Sequence, residues 1–520
     1  MKFGFDILNS DDFVYQIFNQ FGSYTYGSVT NFALDFSGNT AGSKSWQSYS
    51  QTFGLPSVDT TIKDFDFYAQ DQFRITPKLT INYGLRYEFT SIPQPKLINP
   101  DYPQTGTIPE AKLNFGPRIG VAYSLNDKTV IRAGYGIFHA RYQAALIQNL
   151  IENNGLYQPT ATLSAPADLP SGPVFPNILA SSNLAKNGNT VMFAASNLRM
   201  PYSEQGDLAV ERQLAKDIGL TASYIWSRGA HLTAVRDLNV GPLGPNVTYS
   251  ILDTANNVVG TYTTPTYLLA NRVDKRYTRV TQVEGAANSY YDALVLQLRK
   301  RWSKGLFASV AYTWSHAIDD NQGGGSSNLF FSGAPSSVFN GDYNAEKGSS
   351  VLDQRHRLAI SFIEQPTFLH RDGAVARYLV NNWQLSVLAT LASTHPATAT
   401  ILVSGTPFTG AAFNGSLNGL GGSSRVPFYP VNSLDVDQTY RADARISKIL
   451  PFNERFKLYL NFEAFNVTNT VSNTGIFTQA FTASGLKLTP TPGLGVGNAS
   501  GGFPDGTNAR RAQVSARFVL

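Results

Sequence analysis

Residues 64–89 read DFDFYAQDQFRITPKLTINYGLRYEF. In the second half, Leu79, Ile81, Tyr83, Leu85, Tyr87 and Phe89 fall on one parity, and Thr80, Asn82, Gly84, Arg86 and Glu88 on the other. A period of two is a β-strand with one apolar and one polar face, whereas a helical period would scatter the same residues around a cylinder. The first half repeats the pattern. Phe65, Phe67, Ala69, Phe73 and Ile75 share a face on which Asp71 is the one exception, and Asp64, Asp66, Gln70, Gln72 and Arg74 share the other. The break TPK is short and places Pro77 where a turn accepts it. The stretch is a β-hairpin, and the fold turns on which medium its apolar face meets.

Composition narrows the choice. Among 520 residues there are 33 Phe, 26 Tyr and 44 Gly, while charged residues make up only 15%. With no Cys, disulfide frameworks, thiolate metal sites and a Cys nucleophile are excluded. A net charge of +5, spread along strands and not gathered in a patch, argues against a nucleic-acid partner. Runs such as LSVLATLA (385–392) fall short of the roughly 18 apolar residues of a transmembrane helix. The opening MKFGFDILNS lacks the apolar core of a signal peptide and reads as a strand.

The same alternating unit recurs along the chain. It appears in FGPRIGVAYSLN (115–126) and TVIRAGYGIF (129–138), in DLAVERQL (207–214) and GLTASYIWS (219–227), and in DALVLQLRKRW (292–302) and GLFASVAYTWS (305–315). HRLAISF (356–362), WQLSVLATL (383–391), RADARISK (441–448), ERFKLYLNFEAF (454–465) and RRAQVSARFVL (510–520) continue it. The expectation is about 14–16 strands of roughly ten residues, the length of a membrane-crossing strand.

Connections alternate between two kinds. TPK, NDK, AKDI, SK and PFN are tight turns; the others, near 142–202, 228–289, 317–355, 397–438 and 470–507, are long and rich in Gly, Asn, Ser, Thr and Pro. A compact soluble domain rarely carries several structureless loops of that size, whereas an outer-membrane barrel has short periplasmic turns on one rim and long extracellular loops on the other. Energetics set the register. An Arg facing lipid at midplane costs about 2–4 kcal/mol, so Arg74, Arg86, Arg118, Arg132 and Arg299 are expected to face a wet lumen. About five apolar side chains per outward face gain roughly 1.5–3 kcal/mol each on burial in lipid. Tyr87, Tyr224, Trp226, Tyr312 and Trp314, near the loop-side strand ends, fit an interfacial aromatic girdle. A soluble β-sandwich is the competing reading, and it leaves the alternation of turns and loops unexplained. The fold class is all-β: an antiparallel transmembrane β-barrel.

Beyond periodicity, FYAQDQFRITPKLTINYGLRYE, NFGPRIGVAYSLNDKTVIRAGYGIF, YTWSHAIDD, DQRHRLAISF and NFEAFNVTNT resemble the barrel motifs of TonB-dependent outer-membrane receptors, in the order and spacing of the Oar-like subgroup. The resemblance runs through nearly the whole chain. It implies that residues 1–520 are the C-terminal barrel portion of such a receptor, without plug, TonB box or signal peptide, and part of a 22-stranded barrel. It implies a place in the cell outer membrane, with outer-membrane lipid as surroundings. Barrel-assembly machinery would read the final strand RAQVSARFVL, where Leu520 stands in the usual aromatic position, and the TonB system would engage only if a plug is supplied.

The expected function is therefore the barrel of a receptor or transporter for an unknown ligand held by the extracellular loops. It is not expected to be an enzyme, and it needs no cofactor. A passive porin-like channel and a surface adhesion barrel are the alternatives. His316 with Asp319 and Asp320 could hold a cation, but DDNQGGG lacks EF-hand spacing and reads as a polar loop entrance. His356, between Arg355 and Arg357, reads as a strand start before it reads as a proton switch. GLGVGN (493–498) lacks the strand and helix of a phosphate-cradling loop and reads as a flexible external loop. No G-x-S-x-G elbow occurs, and no catalytic or metal residue is assigned.

Overall fold

The computed structural model describes residues 1–519 except 16, 18, 38, 40, 41, 184–189, 321–333, 371, 372, 454 and 501–508. Fourteen strands form one continuous wall, each antiparallel to the next. They are β1 (Lys2–Tyr15), β2 (Ser57–Thr76), β3 (Leu79–Ser91), β4 (Asn114–Asn126), β5 (Thr129–His139), β6 (Tyr202–Ala215) and β7 (Ile218–Asp237). Next come β8 (Arg279–Ser303), β9 (Leu306–Asp319), β10 (His356–Glu364), β11 (Trp383–Ala392), β12 (Thr439–Pro451), β13 (Lys457–Phe465) and β14 (Arg511–Val519). Spatial order follows chain order, so every connection joins neighbours. No helix among the described residues is long and apolar enough to cross a membrane.

The opening hairpin is β2–β3, and its register keeps the two faces separate. Phe65 sits opposite Phe89, Phe67 opposite Tyr87, Ala69 opposite Leu85 and Phe73 opposite Ile81. Among the described residues no second layer covers this face: Phe67, Phe73, Tyr83 and Leu85 keep between 46% and 57% of their surface open. The same holds along the wall, where Ile119, Leu208, Tyr224, Leu298, Trp314, Ile446 and Phe462 are exposed. A soluble sandwich would press these side chains against a facing sheet; here they form a bare apolar belt of the kind that lipid covers.

On the turn rim, two-residue connections fix four of the hairpins. Between β8 and β9, Lys304 and Gly305 both adopt positive φ, 50° and 74°. That is the type I′ geometry whose twist matches the flanking strands, and glycine takes it without strain. One turn-rim connection departs from the expected pattern. Residues 365–382, between β10 and β11, carry a short helical turn, Ala376–Val380, instead of a tight turn.

The loop rim differs more from expectation, because the long connections are folded. Strands β2, β7 and β8 run to 20, 20 and 25 residues and rise past the belt. Helix Ala144–Glu152 buries Leu146, Ile147, Leu150 and Ile151 against Val58 and Ile62 on the inner face of β2, together with Met192, Val235 and Val283. Each such side chain contributes about 1.5–3 kcal/mol. A second apolar core gathers Tyr249, Ile401, Leu417, Val426, Phe481 and Leu488 from three connections distant in sequence. Those connections share one five-stranded sheet, in the order Val258–Thr266, Gly244–Leu252, Lys487–Pro490, Gln479–Ser484, Thr400–Val403. The result is a cap with its own cores.

A capped mouth as the candidate functional site

The lumen face carries the charges that the outward face lacks. Arg86 pairs with Asp66 at 2.6 Å and with Glu88 at 2.7 Å, and Arg141 reaches both Asp64 and Asp66 at 3.2 Å. Arg132 pairs with Glu211 at 2.9 Å. The guanidinium of Arg118 lies 4.5 Å over the Phe138 ring. Arg74 donates to the Pro77 carbonyl at 3.0 Å. Arg299 shares its face with Ser309, opposite in register. The five arginines therefore stand on the wet side of the wall. A cavity of about 690 Å³ runs along this face, lined by Tyr68, Gln70, Asn82, Arg86 and Arg118.

The larger cavity, about 1030 Å³, lies where the lumen faces of β9–β12 meet the cap. Its lining combines Arg357, Arg441, Asp443, Asp437, His395, Gln354 and Asn473 with the apolar Ala359, Leu388 and Ile476. Most polar groups there are already oriented. Arg357 donates to the Gln354 side chain at 3.2 Å, and Arg441 donates to Asp443 at 3.1 Å. Asp443 also accepts the Asn466 backbone N–H at 2.8 Å. Asp437 accepts both the backbone and side-chain N–H of Asn473, at 2.9 and 2.8 Å. One imidazole nitrogen of His395 lies 3.1 Å from the Asp353 carbonyl, the other 3.0 Å from Gln354. Two arginines and two aspartates thus share the lining with an apolar floor.

Two buried ion pairs hold the cap over this mouth. Arg425 meets Glu346 at 3.0 Å, with 6% and 2% of their side chains exposed. It also donates to the carbonyls of Ala345, Val426 and Tyr429, while Glu346 accepts the Val338 N–H at 2.8 Å. Arg279 meets Asp237 at 2.9 Å, donates to the Leu420 carbonyl and lies 3.6 Å over the Phe413 ring. Burial pulls the Arg279 guanidinium below its ordinary range, and the Asp237 carboxylate opposes that shift. A planar, five-donor cation suits such sites because every donor can find an oxygen. On the cap's surface, Arg276 holds Asp274 down to about 2 and keeps Asp101 below its ordinary range.

The aromatic residues picked from the sequence share the outward face, with Tyr312 level with Leu296 and with Tyr224, Trp314 and Trp226 further toward the loop rim. Tyr135 and Trp226 pack with centroids 5.8 Å apart. Trp226 can lie flat there because position 206 is glycine; a Cβ would meet its ring at 2.5 Å. Tyr87 packs on Phe115, and the Tyr312 hydroxyl lies 2.8 Å from an imidazole nitrogen of His356, at the start of β10. His316, Asp319 and Asp320 do not converge. His316 is 3.3 Å from Ser349 and 3.9 Å from Asp353, while Asp320 accepts from Asn288. The remainder of that motif, 321–325, lies outside the described residues. GLGVGN is an ordered turn and not the loose loop expected of it: Val496 donates to the Gly493 carbonyl, and Gly497 begins a short strand. The partners Arg425 and Glu346 lie 79 residues apart, and no local pattern joins them.

The fold resembles known membrane proteins. Among solved structures, the outer membrane transporter YddB from Escherichia coli superposes with a TM-score of 0.54 at 11% identity, covering 99% of this chain and 51% of that one. The ferripyoverdine receptor of the outer membrane of Pseudomonas aeruginosa gives 0.44 at 10% identity, over 89% and 39% of the two chains. The FrpB iron transporter from Neisseria meningitidis gives 0.44 at 11% identity, over 89% and 46%. The chain thus spans about half the length of the first of these transporters. No curated protein matches it in sequence. A family described as "Outer membrane beta barrel domain" matches residues 1–486, more than nine-tenths of the chain. The chain belongs to the outer membrane β-barrel domain family, and its place is the outer membrane.

Proposed function

We propose that this chain is the wall and external binding surface of a receptor or transporter of the TonB-dependent type, without enzymatic activity. The observation that carries the reading is the consolidated cap over the 1030 Å³ cavity on the lumen face. A passive channel gains nothing from two apolar cores and two buried ion pairs across its mouth, whereas a receptor needs its loops pre-organised around a ligand. The motifs quoted above support an Oar-like receptor, with residues 1–520 as barrel-type wall. In this reading a plug, where supplied, would couple the barrel to the TonB system, and barrel-assembly machinery would read β14.

The test is electrical. Purified protein refolded into planar phospholipid bilayers should show no steady open conductance. Disruption of the cap through Arg425→Met should introduce flickering current. Steady, large, ion-permeable pores from the unaltered chain would remove the receptor reading in favour of a porin, the alternative that the charged lumen face supports.

A further inference from the structure

Where four hairpins of the turn rim close in two residues, β10 and β11 are joined by residues 365–382, which include the helical turn Ala376–Val380. Lys448 shows on which side of the wall this connection lies. In β12 it stands opposite Trp383 of β11, two residues beyond Ile446 and on the same outward face. Ile446 is 46% exposed, yet Lys448 only 8%. The connection covers it: the Lys448 ammonium donates to the carbonyls of Leu379 and Asn381 and lies 4.9 Å from the centre of the Trp383 ring. The Trp383 indole N–H donates to the same Leu379 carbonyl, at 3.0 Å. The helical turn is therefore folded onto the outside of the wall, at the turn-rim border of the apolar belt.

Its shape is tied down. The Asn381 side chain accepts the backbone N–H groups of Phe368 and Leu369, both at 2.9 Å, and donates to the Leu369 carbonyl at 2.7 Å. The Asn382 side chain donates to the Arg377 carbonyl at 3.0 Å. In water such a segment would turn its apolar groups inward, and this one does the opposite. Ala376 is buried, while Phe368, Val375 and Leu379 keep 61%, 62% and 67% of their surface open. Val375 and Leu379 are four residues apart and so share a side of the turn.

We propose that this segment is a foot resting on the periplasmic leaflet, with Phe368, Val375 and Leu379 buried among phospholipid headgroups and the first carbons of the acyl chains. The occupant is lipid because the surface continues the belt that lipid covers. Charge marks the level. On the outward face, Glu364 ends the row Leu358, Ile360, Phe362 of β10, and Lys448 follows Ala444 and Ile446 of β12. With a rise of about 3.3 Å per residue and a tilt near 45°, Lys448 lies about 5 Å beyond Ile446 toward the rim. A lysine and an indole whose polar tips point away from hydrocarbon belong at headgroup depth. A helical segment at that depth lies in the interface plane with its apolar side toward the acyl chains. This inference does not rest on the receptor reading.

The absence of cysteine allows single labels. Val375→Cys and Leu379→Cys, each carrying a nitrobenzoxadiazole fluorophore in the full chain refolded into phosphatidylcholine vesicles, are compared with Asp127→Cys in the two-residue turn between β4 and β5. At 375 and 379 the emission should be blue-shifted, and iodide on both sides of the bilayer should quench it at least several-fold less than at 127. Spin-labelled lipid should quench both more strongly when the nitroxide lies near the headgroup than at the chain end. A heat-modifiable gel shift verifies folding of each variant. Iodide access equal to that at 127 would leave the face to a protein partner. Protection that grows with the number of protein copies per vesicle would assign it to a second copy of this chain. Stronger quenching from the chain end would place the segment inside the hydrocarbon. Each of these three results overturns the inference.

Discussion

Two adjacent residues on β8 put the lipid-facing register to the sharpest test. Leu296 lies opposite Ala222 and Tyr312 on the belt face, and Gln297 lies opposite Thr221 and Ala311 on the lumen face. Leu296 is seven residues from Ser303, the turn-rim end of its strand. With a rise of about 3.3 Å per residue and a tilt near 45°, that places it roughly 16 Å above the rim, close to the middle of the hydrocarbon layer. Arginine at the midplane on the lipid face costs about 2–4 kcal/mol. Leu296→Arg should therefore shift the folding equilibrium by about 30- to 700-fold. Gln297→Arg adds a cation to a water-filled face already bearing Arg299 and should change stability by about 0.5 kcal/mol or less. Urea titration of the vesicle-inserted protein, followed by tryptophan fluorescence, measures both. Equal effects from the two variants, or a larger one at position 297, would refute the assignment of faces and with it the membrane reading of the wall.

Three further outcomes follow from the cap. Among the described residues, Arg425→Met leaves the buried Glu346 carboxylate with the Val338 N–H and the Ser337 hydroxyl as donors; loss of one partner of such a pair costs about 3–5 kcal/mol. Limited trypsin digestion should then cut the cap at least tenfold faster while the heat-modifiable shift of the wall persists. Asp274 and Asp101 are held below their ordinary range by Arg276, so their contribution is full above the unfolded carboxylate range, about pH 4. It fades as pH falls through the folded value of Asp274, about 2, and amide exchange around residues 99–105 and 274–277 should accelerate over that window and not between pH 6 and 8. Gly206→Val forces the Trp226 ring off the wall, and overpacking of this kind costs about 1–3 kcal/mol. Depth-dependent quenching by brominated lipids should register the displaced indole.

The wall was legible in the sequence because its two solvents differ at every second residue. LTINYGLRYEF states its faces outright, and RADARISK does so in eight residues. The strand number, the tight turns and the arginines of the lumen all follow from that local contrast. The cap was not legible. Its strands are short, four to nine residues in the shared sheet, and its glycine, asparagine and threonine content reads as loop. What orders it is long-range: Ile401 packs with Tyr249 and Leu488, and Arg425 finds Glu346. None of these contacts leaves a periodic trace, since each belongs to a different connection. The cavity was illegible for the same reason, being assembled from β9–β12 and three separated loops.

A division of labour follows from where each kind of energy resides. The wall's outward face gains stability only when lipid covers it, so its side chains need be apolar and nothing more. The cap lies above the belt, in water, and must supply its own cores and buried pairs to hold one shape. Its buried arginines show the cost of that position, because a membrane cannot order loops that it does not touch. Residues around the cavity such as His395, Asp437 and Asn473 lie apart from that support. A change at such a position leaves the belt, the turns and the buried pairs of the cap as they are, since those are built from other residues.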